Sequence, residues 1–272
     1  MSKESKDSLG DRMKGYEGVK AQERFMPMIP ICARLDGKNF SKFTKGLKRP
    51  YDERMSDAMC ELTAFLVEET NARMGYTQSD EISLFWYSDD TKTQVFFDGR
   101  VQKMVSVLAA MTSVKFNKLL ETHIPEKANL NPIFDCRIWQ VPNITEVANT
   151  FLWRELDASK NSISMLAQSM FSHKQLQNKS GAEMQDLIVE AGDNWNNHPA
   201  FFKRGTFIQR VKEIRKFSTE EIDKLPQMHA ARKNPDLMVD RTVIKKLDMP
   251  PFRKVSNRTE VMLGAEPQRL ND

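Results

Sequence analysis

From Met28 to Leu35 apolar side chains alternate, with Ile29, Ile31, Ala33 and Leu35 on one face and Cys32 and Arg34 on the other, predicting a strand. Pro30 has no amide proton, so it belongs near the strand start. The spacing then switches to a helical period over Asp52 to Arg73. Met55, Ala58, Met59, Leu62, Phe65 and Leu66 form the stripe, acidic Asp52 and Glu53 open the helix, and Gly75 closes it. Two short strands, around Met74–Thr77 and Ile82–Tyr87, are joined by a turn at Gln78–Glu81. A second helix is predicted from about Asp98 to Leu120, carrying Val101, Met104, Val105, Leu108 and Met111, and a fourth strand over Ile133 to Val141.

That order, β-α-β-β-α-β, is the split arrangement of ferredoxin-like sheets and predicts an α+β fold. In this topology the third strand lies between the first and second, antiparallel to both. The end of strand one therefore sits beside the start of strand three, the geometry used by polymerase palms. After Val141 the pattern turns helical, over Ile144–Leu156, Ala158–Phe171 and Ala182–Ala191, before a returning strand at Gly205–Val211. The expected division is a palm-like catalytic domain over 1–141, a helical, fingers-like extension with the returning strand over 142–214, and a tail over 215–272 made of loops and short elements.

Composition narrows the class. At 272 residues with 40% hydrophobic content, the chain can bury a sizeable core. No apolar run approaches the ~18 residues of a membrane span, and the charged start Met1-Ser2-Lys3-Glu4 lacks the apolar centre of a signal peptide. The three cysteines show no metal-ligand spacing, so reduced thiols and a cytoplasmic location are expected. The net charge of +4 permits a nucleic-acid partner without requiring one. Local clusters say more: Lys42, Lys45, Lys48 and Arg49; Lys203, Arg204 and Arg210; and Arg241, Lys245, Lys246, Arg253, Lys254 and Arg258.

The chemistry concentrates in Arg34-Leu35-Asp36-Gly37-Lys38-Asn39-Phe40 and in Gln78-Ser79-Asp80-Glu81. Each puts a carboxylate at the end of an apolar strand. The first adds a glycine, which lets the backbone approach a phosphate closely, and a lysine to neutralise it. The predicted topology brings Asp36 and Asp80 side by side although they lie far apart in sequence. Two such acids are the minimum set for two-metal phosphoryl or nucleotidyl transfer. Mg²⁺ takes oxygen ligands and retains waters, so Asp36, the Gly37 carbonyl and Asp80 are the candidate metal ligands. Lys38, Asn39, Phe40, Ser41 and Ser79 are the candidate nucleotide-binding residues beside them, with Glu81 a further candidate catalytic acid.

Taken with Gly75-Tyr76-Thr77 before the second acid, Trp153-Arg154-Glu155-Leu156-Asp157, Asn161, and Lys203-Arg204-Gly205-Thr206, these motifs resemble the tRNA-His guanylyltransferase superfamily of 3′-5′ nucleotidyl transferases, over roughly residues 10 to 212. Eukaryotic members carry His-Ile-Asn-Asn-Leu-Tyr-Asn after the Trp-Arg segment. Here the stretch reads Ser159-Lys160-Asn161-Ser162-Ile163-Ser164-Met165, similar to members from bacteria and their viruses. The resemblance implies template-dependent repair of truncated tRNA 5′ ends, with two Mg²⁺ ions, ATP and GTP or another nucleoside triphosphate as substrates, and a homotetramer. It also implies that Arg154, Lys160, Asn161, Lys203 and Arg204 hold the RNA or its phosphates. Alternative readings are non-templated guanylate addition to tRNA-His, a palm-type nucleotide cyclase or cyclic-dinucleotide synthase, and an RNA-binding module without catalysis.

Overall fold

The structure, a computed structural model, describes residues 8–90, 92–234 and 236–270. The charged stretch at 1–7 lies outside them. In chain order the elements are α1 (Leu9–Ala21), β1 (Ile31–Gly37), α2 (Phe40–Phe43), α3 (Glu53–Glu69), β2 (Met74–Gln78), β3 (Glu81–Trp86), α4 (Val101–His123) and β4 (Phe134–Gln140). There follow α5 (Ile144–Met170), α6 (His173–Leu176), α7 (Gly181–Glu190), α8 (Ala200–Arg204), β5 (Thr206–Lys216), α9 (Thr219–Lys224), α10 (Ala230–Lys233), β6 (Met238–Lys246) and α11 (Arg258–Met262).

The strands form one antiparallel sheet in the order β4-β1-β3-β2-β5-β6. The predicted insertion of the third strand between the first two is present, and the four expected strands and two helices of the α+β core are all found. Alternation along β1 sends Ala33 and Leu35 to one face and Cys32 to the other, so the sheet has two apolar cores. Under the first face, Leu35, Ile82, Leu84 and Ile208 pack on Met59, Leu62 and Leu66 of α3 and Leu108, Phe116 and Leu120 of α4. Each such fully buried side chain contributes about 1.5–3 kcal/mol. Asp52 caps α3 by accepting the Arg54 backbone N–H at 3.1 Å.

On the second face, Met74, Tyr76, Phe85 and Phe207 meet Val147, Ala148, Phe151 and Ala158 of α5. Leu247, Met249, Phe252, Val255, Val261 and Met262 complete this core. The tail expected to hold only loops and short elements therefore supplies a nine-residue strand and half of a hydrophobic layer. The strand is carried by the β-branched residues Val239, Thr242, Val243 and Ile244, set among charges that hide any apolar alternation, and by its pairing with β5.

Three further differences from the sequence reading have physical causes. The two helices expected on either side of Asp157 are one 27-residue helix, because Asp157 pairs with Arg154 one turn back at 3.2 Å and does not cap a new start. β1 begins at Ile31, since Met28 has φ 59°, in the left-handed region, and its end reaches Gly37. Helix α1 was not foreseen, because none of its residues is buried and it carries no apolar period toward the core. Among the described residues no helix is long and apolar enough to cross a membrane.

Candidate active site

β1 leaves the first core at Leu35, which is fully buried, and delivers Asp36 to the sheet's end. There Asp36 stands opposite Glu81 of β3 on one side and Asp135 of β4 on the other. The β2–β3 hairpin closes on the pair Gln78 and Glu81, so Ser79 and Asp80 form its tip. Ser79 takes the left-handed conformation, φ 54°, and its hydroxyl donates to Asp80 Oδ1 at 3.0 Å. Burial pushes the Asp80 carboxyl up to about 6, the charges of Asp36 and Glu81 adding to the rise against hydrogen bonds from its own N–H and Ser79. Asp36 and Asp80, which the topology argument paired, are thus close enough to repel.

Around this pair, the sequence-expected residues fall into distinct positions. Gly37 ends β1, and a Cβ there would lie 2.2 Å from the Phe40 ring, so only glycine lets that ring fold back. Phe40 itself is buried in the first core against Phe43, Phe116 and Phe134, at centroid distances of 4.9, 5.7 and 5.0 Å. Its side chain is thus part of the core. Lys38 and Asn39 are exposed, and the Lys38 N–H donates to Ile133 O at 2.9 Å.

Ser41 and Ser79 share the wall of a cavity of about 510 Å³ with Lys45, Lys48, Arg49, Tyr51, Gln168 and Phe202. That volume suits one nucleotide. The Lys45, Lys48 and Arg49 side chains form no ion pair among the described residues, leaving three cations at the rim for phosphate. The cluster was visible in the sequence, but its place with Ser79 and the aromatic wall from α8 was not. That wall depends on contacts such as Tyr51 with Phe202, 4.7 Å between centroids, separated by roughly half the chain.

The residues expected to hold RNA are scattered by comparison. Arg154 is 6% exposed and its guanidinium is engaged by Glu81 and, at 3.2 Å, by Asp157. It is placed to fix Glu81, and Glu81 is committed to that ion pair. Lys160 and Asn161 are exposed on α5. Lys203 donates to the Asn196 carbonyl and lies 5.5 Å from the Trp195 ring centroid, and desolvation, then the nearby Arg204, lowers its pKa. Arg204 Nε is 3.7 Å from Glu155 Oε1.

Glu155 is buried and accepts the Phe252 N–H at 2.8 Å, tying α5 to the C-terminal segment. Burial pushes its carboxyl up to about 7, against the Phe252 N–H and the charges of Arg204 and Arg253. A carboxyl raised in the folded state penalises folding as it ionises, so stability falls as pH rises from about 4.5 through about 7. Glu155→Gln keeps an acceptor for Phe252 but cannot ionise. Its melting temperature relative to the native chain is therefore expected to improve between about pH 5 and about pH 8. Parallel melting curves at both values would show that Glu155 ionisation does not load the fold.

A carboxylate pair at the ends of neighbouring antiparallel strands, with a cationic cavity reaching the adjoining Ser79, is the palm arrangement of nucleotidyltransferases. Residues 10–142 match the family described as tRNAHis guanylyltransferase, Thg1. A bacterial tRNA(His) guanylyltransferase (Thg1)-like protein solved with ATP superposes with TM-score 0.74 at 33% identity, covering 94% of this chain and 98% of that one. A structure of such a protein with GTP gives TM-score 0.71 at 32% identity, with the same coverage. An uncharacterized protein of Acanthamoeba polyphaga mimivirus is 34% identical over 227 residues, 75% of this chain and 77% of that one. The chain belongs to the Thg1-like superfamily, and is a nucleotidyltransferase of the tRNA(His) guanylyltransferase type.

Proposed function

We propose that the enzyme adds nucleotides to the 5′ end of tRNA in the 3′-5′ direction, copying the opposing strand, to repair truncated ends. The observation that carries this reading is the cationic cavity walled by Ser41 and Ser79, Ser79 preceding Asp80 at the tip of the hairpin whose Glu81 pairs with Asp36. Relatives solved with ATP and with GTP support nucleoside triphosphates as its occupants. Ser159 in place of the eukaryotic histidine supports the templated reaction over tRNA-His-specific guanylate addition. The cavity wall combines residues from Ser41 to Ser79 with Met165, Gln168, Phe201 and Phe202, and residues of 215–272 join the second core.

In the first step an oxygen of the RNA 5′-monophosphate attacks the α-phosphorus of ATP, and pyrophosphate leaves. In the second, the 3′-hydroxyl of the incoming nucleoside triphosphate attacks the 5′ phosphate of the activated RNA, and AMP leaves. Lys45, Lys48 and Arg49 neutralise the triphosphate, and the exposed Ser41 and Ser79 orient it by hydrogen bonding. The acids fit Mg²⁺: Asp36 and Asp80 are hard oxygen donors, and burial, helped by the charge of Asp36, makes the Asp80 carboxylate costly until a dication balances it. Asp36, the Gly37 carbonyl and Asp80 would hold two Mg²⁺ ions, which when bound stabilise the entering and leaving oxygens. Among the described residues no larger group of acid, histidine or cysteine ligands competes for this role.

The test is incubation with Mg²⁺, ATP, a tRNA lacking its 5′ nucleotide and each nucleoside triphosphate in turn. Addition only of the base complementary to the opposing nucleotide supports templated repair. Equal addition of all four, or guanylate regardless of template, sinks it, and a small cyclic product would point to a cyclase. RNA carrying a 5′-triphosphate should need no ATP for the first addition, because pyrophosphate can then leave. A persisting ATP requirement with that substrate would mean that ATP acts at another point.

A further inference from the structure

Trp153 is 53% exposed at the middle of α5, with no hydrogen bond to its indole N–H among the described residues. Trp86 and Trp195, by contrast, each donate at 3.0 Å, to Thr70 O and Ser162 Oγ. A large aromatic left in solvent loses the burial that usually accounts for it. It is nevertheless held in place. The Arg154 guanidinium lies 4.7 Å from its ring centroid, and that guanidinium is gripped by Glu81 and Asp157. Glu81 stands opposite Asp36 and next to Asp80. The ring is thus a fixed platform, connected to the catalytic acids through one ion pair.

We propose that Trp153 is a stacking site for the terminal nucleobase of the RNA whose 5′ phosphate is at Asp36 and Asp80, an assignment that rests on the polymerising reading above. Two features favour an RNA end as occupant. Lys160 follows on the same outward side of α5, about 10 Å along the axis, exposed and without an ion pair among the described residues. The position is also continuous with the reacting centre, where a terminal base must lie within a few ångströms of its own 5′ phosphate. An aromatic face accepts any base, which suits an enzyme that takes its sequence information from a template strand.

The experiment uses the full chain and a 5′-monophosphorylated RNA stem-loop with a single-stranded 3′ overhang, with binding read by fluorescence anisotropy at two salt concentrations. Trp153→Leu is expected to weaken binding about 10-fold, and Trp153→Phe to stay within about 3-fold of the native protein. Stacking releases no counterions, so the salt dependence stays unchanged, unlike the loss of a phosphate-binding cation. KM for ATP also stays unchanged. The same stem-loop with an abasic terminal nucleotide should lose about 10-fold on the native protein and nothing further on Trp153→Leu. This arm keeps the test decisive should the variant melt early.

Binding of Trp153→Leu within about 2-fold of native, or an additive loss with the abasic RNA, overturns the proposal. So does a loss that follows dissociation of an oligomer in sedimentation and recovers at high protein concentration, which would make the ring a contact between subunits. Because the readout is binding, a native protein that binds the stem-loop but adds no nucleotide would count against the polymerising reading and leave the stacking site standing.

Discussion

Asp36→Asn and Asp80→Asn are each expected to lower both 5′ activation and nucleotide addition by about 10³-fold or more, with little change in melting temperature or RNA affinity. The substitution keeps the shape of the side chain and removes the charge that would hold Mg²⁺ and balance charge developing at phosphorus. A loss of several kcal/mol in barrier stabilisation follows for each acid, because the two act as one unit. The fold should tolerate the change. Burial above all pushes Asp80 up to about 6, so neutralising it removes a desolvated charge along with repulsion from Asp36 and Glu81. Single-turnover assays on adenylylation and on transfer from pre-activated RNA check the two steps separately. Near-normal turnover by either variant would remove the paired acids from the centre of the chemistry.

The second large effect is on the fold. Gly205 joins α8 to β5 at φ 72°, ψ −167°, a region that only glycine occupies freely. A Cβ there would lie 2.5 Å from Thr77 O and 2.6 Å from Tyr76 Oη, the hydroxyl that donates to Arg204 O at 2.9 Å. Backbone strain and collision with a backbone carbonyl combine, so Gly205→Ala should destabilise the protein by about 3 kcal/mol or more. Urea denaturation checks it. A cost below about 1 kcal/mol would mean that β5 shifts to make room. Any folded fraction should show a weaker cavity as well, since Phe201 and Phe202 enter it from the same short helix.

How much of this was readable beforehand depended on the range of the interaction. The two acids were legible because each ends an apolar strand and a common topology dictates which strand ends meet. The place of Phe40 was misread in part, because a motif residue beside a phosphate site looks like a ligand until the ring partners Phe116 and Phe134 are known. Arg154 was grouped with phosphate-binding cations. Its burial against Glu81 depends on α5 crossing the sheet, which the helical period along α5 does not encode. The cavity joins Tyr51 to Phe201 and Phe202, and the second core joins Cys32 to Phe252, pairings for which local sequence carries no signal.

The second core has a consequence for the order in which the molecule becomes active. Glu155 in α5 binds the Phe252 N–H, and the apolar underside of the catalytic sheet is sealed by Leu247 to Met262. Contacts so distant along the chain form late and slowly. During synthesis the strands bearing Asp36 and Asp80 emerge early but stay bare on one side until residues 247–262 leave the ribosome. Residues 247–262 thus act as a completion check, and a chain cut before them has an open, sticky sheet in place of a working enzyme.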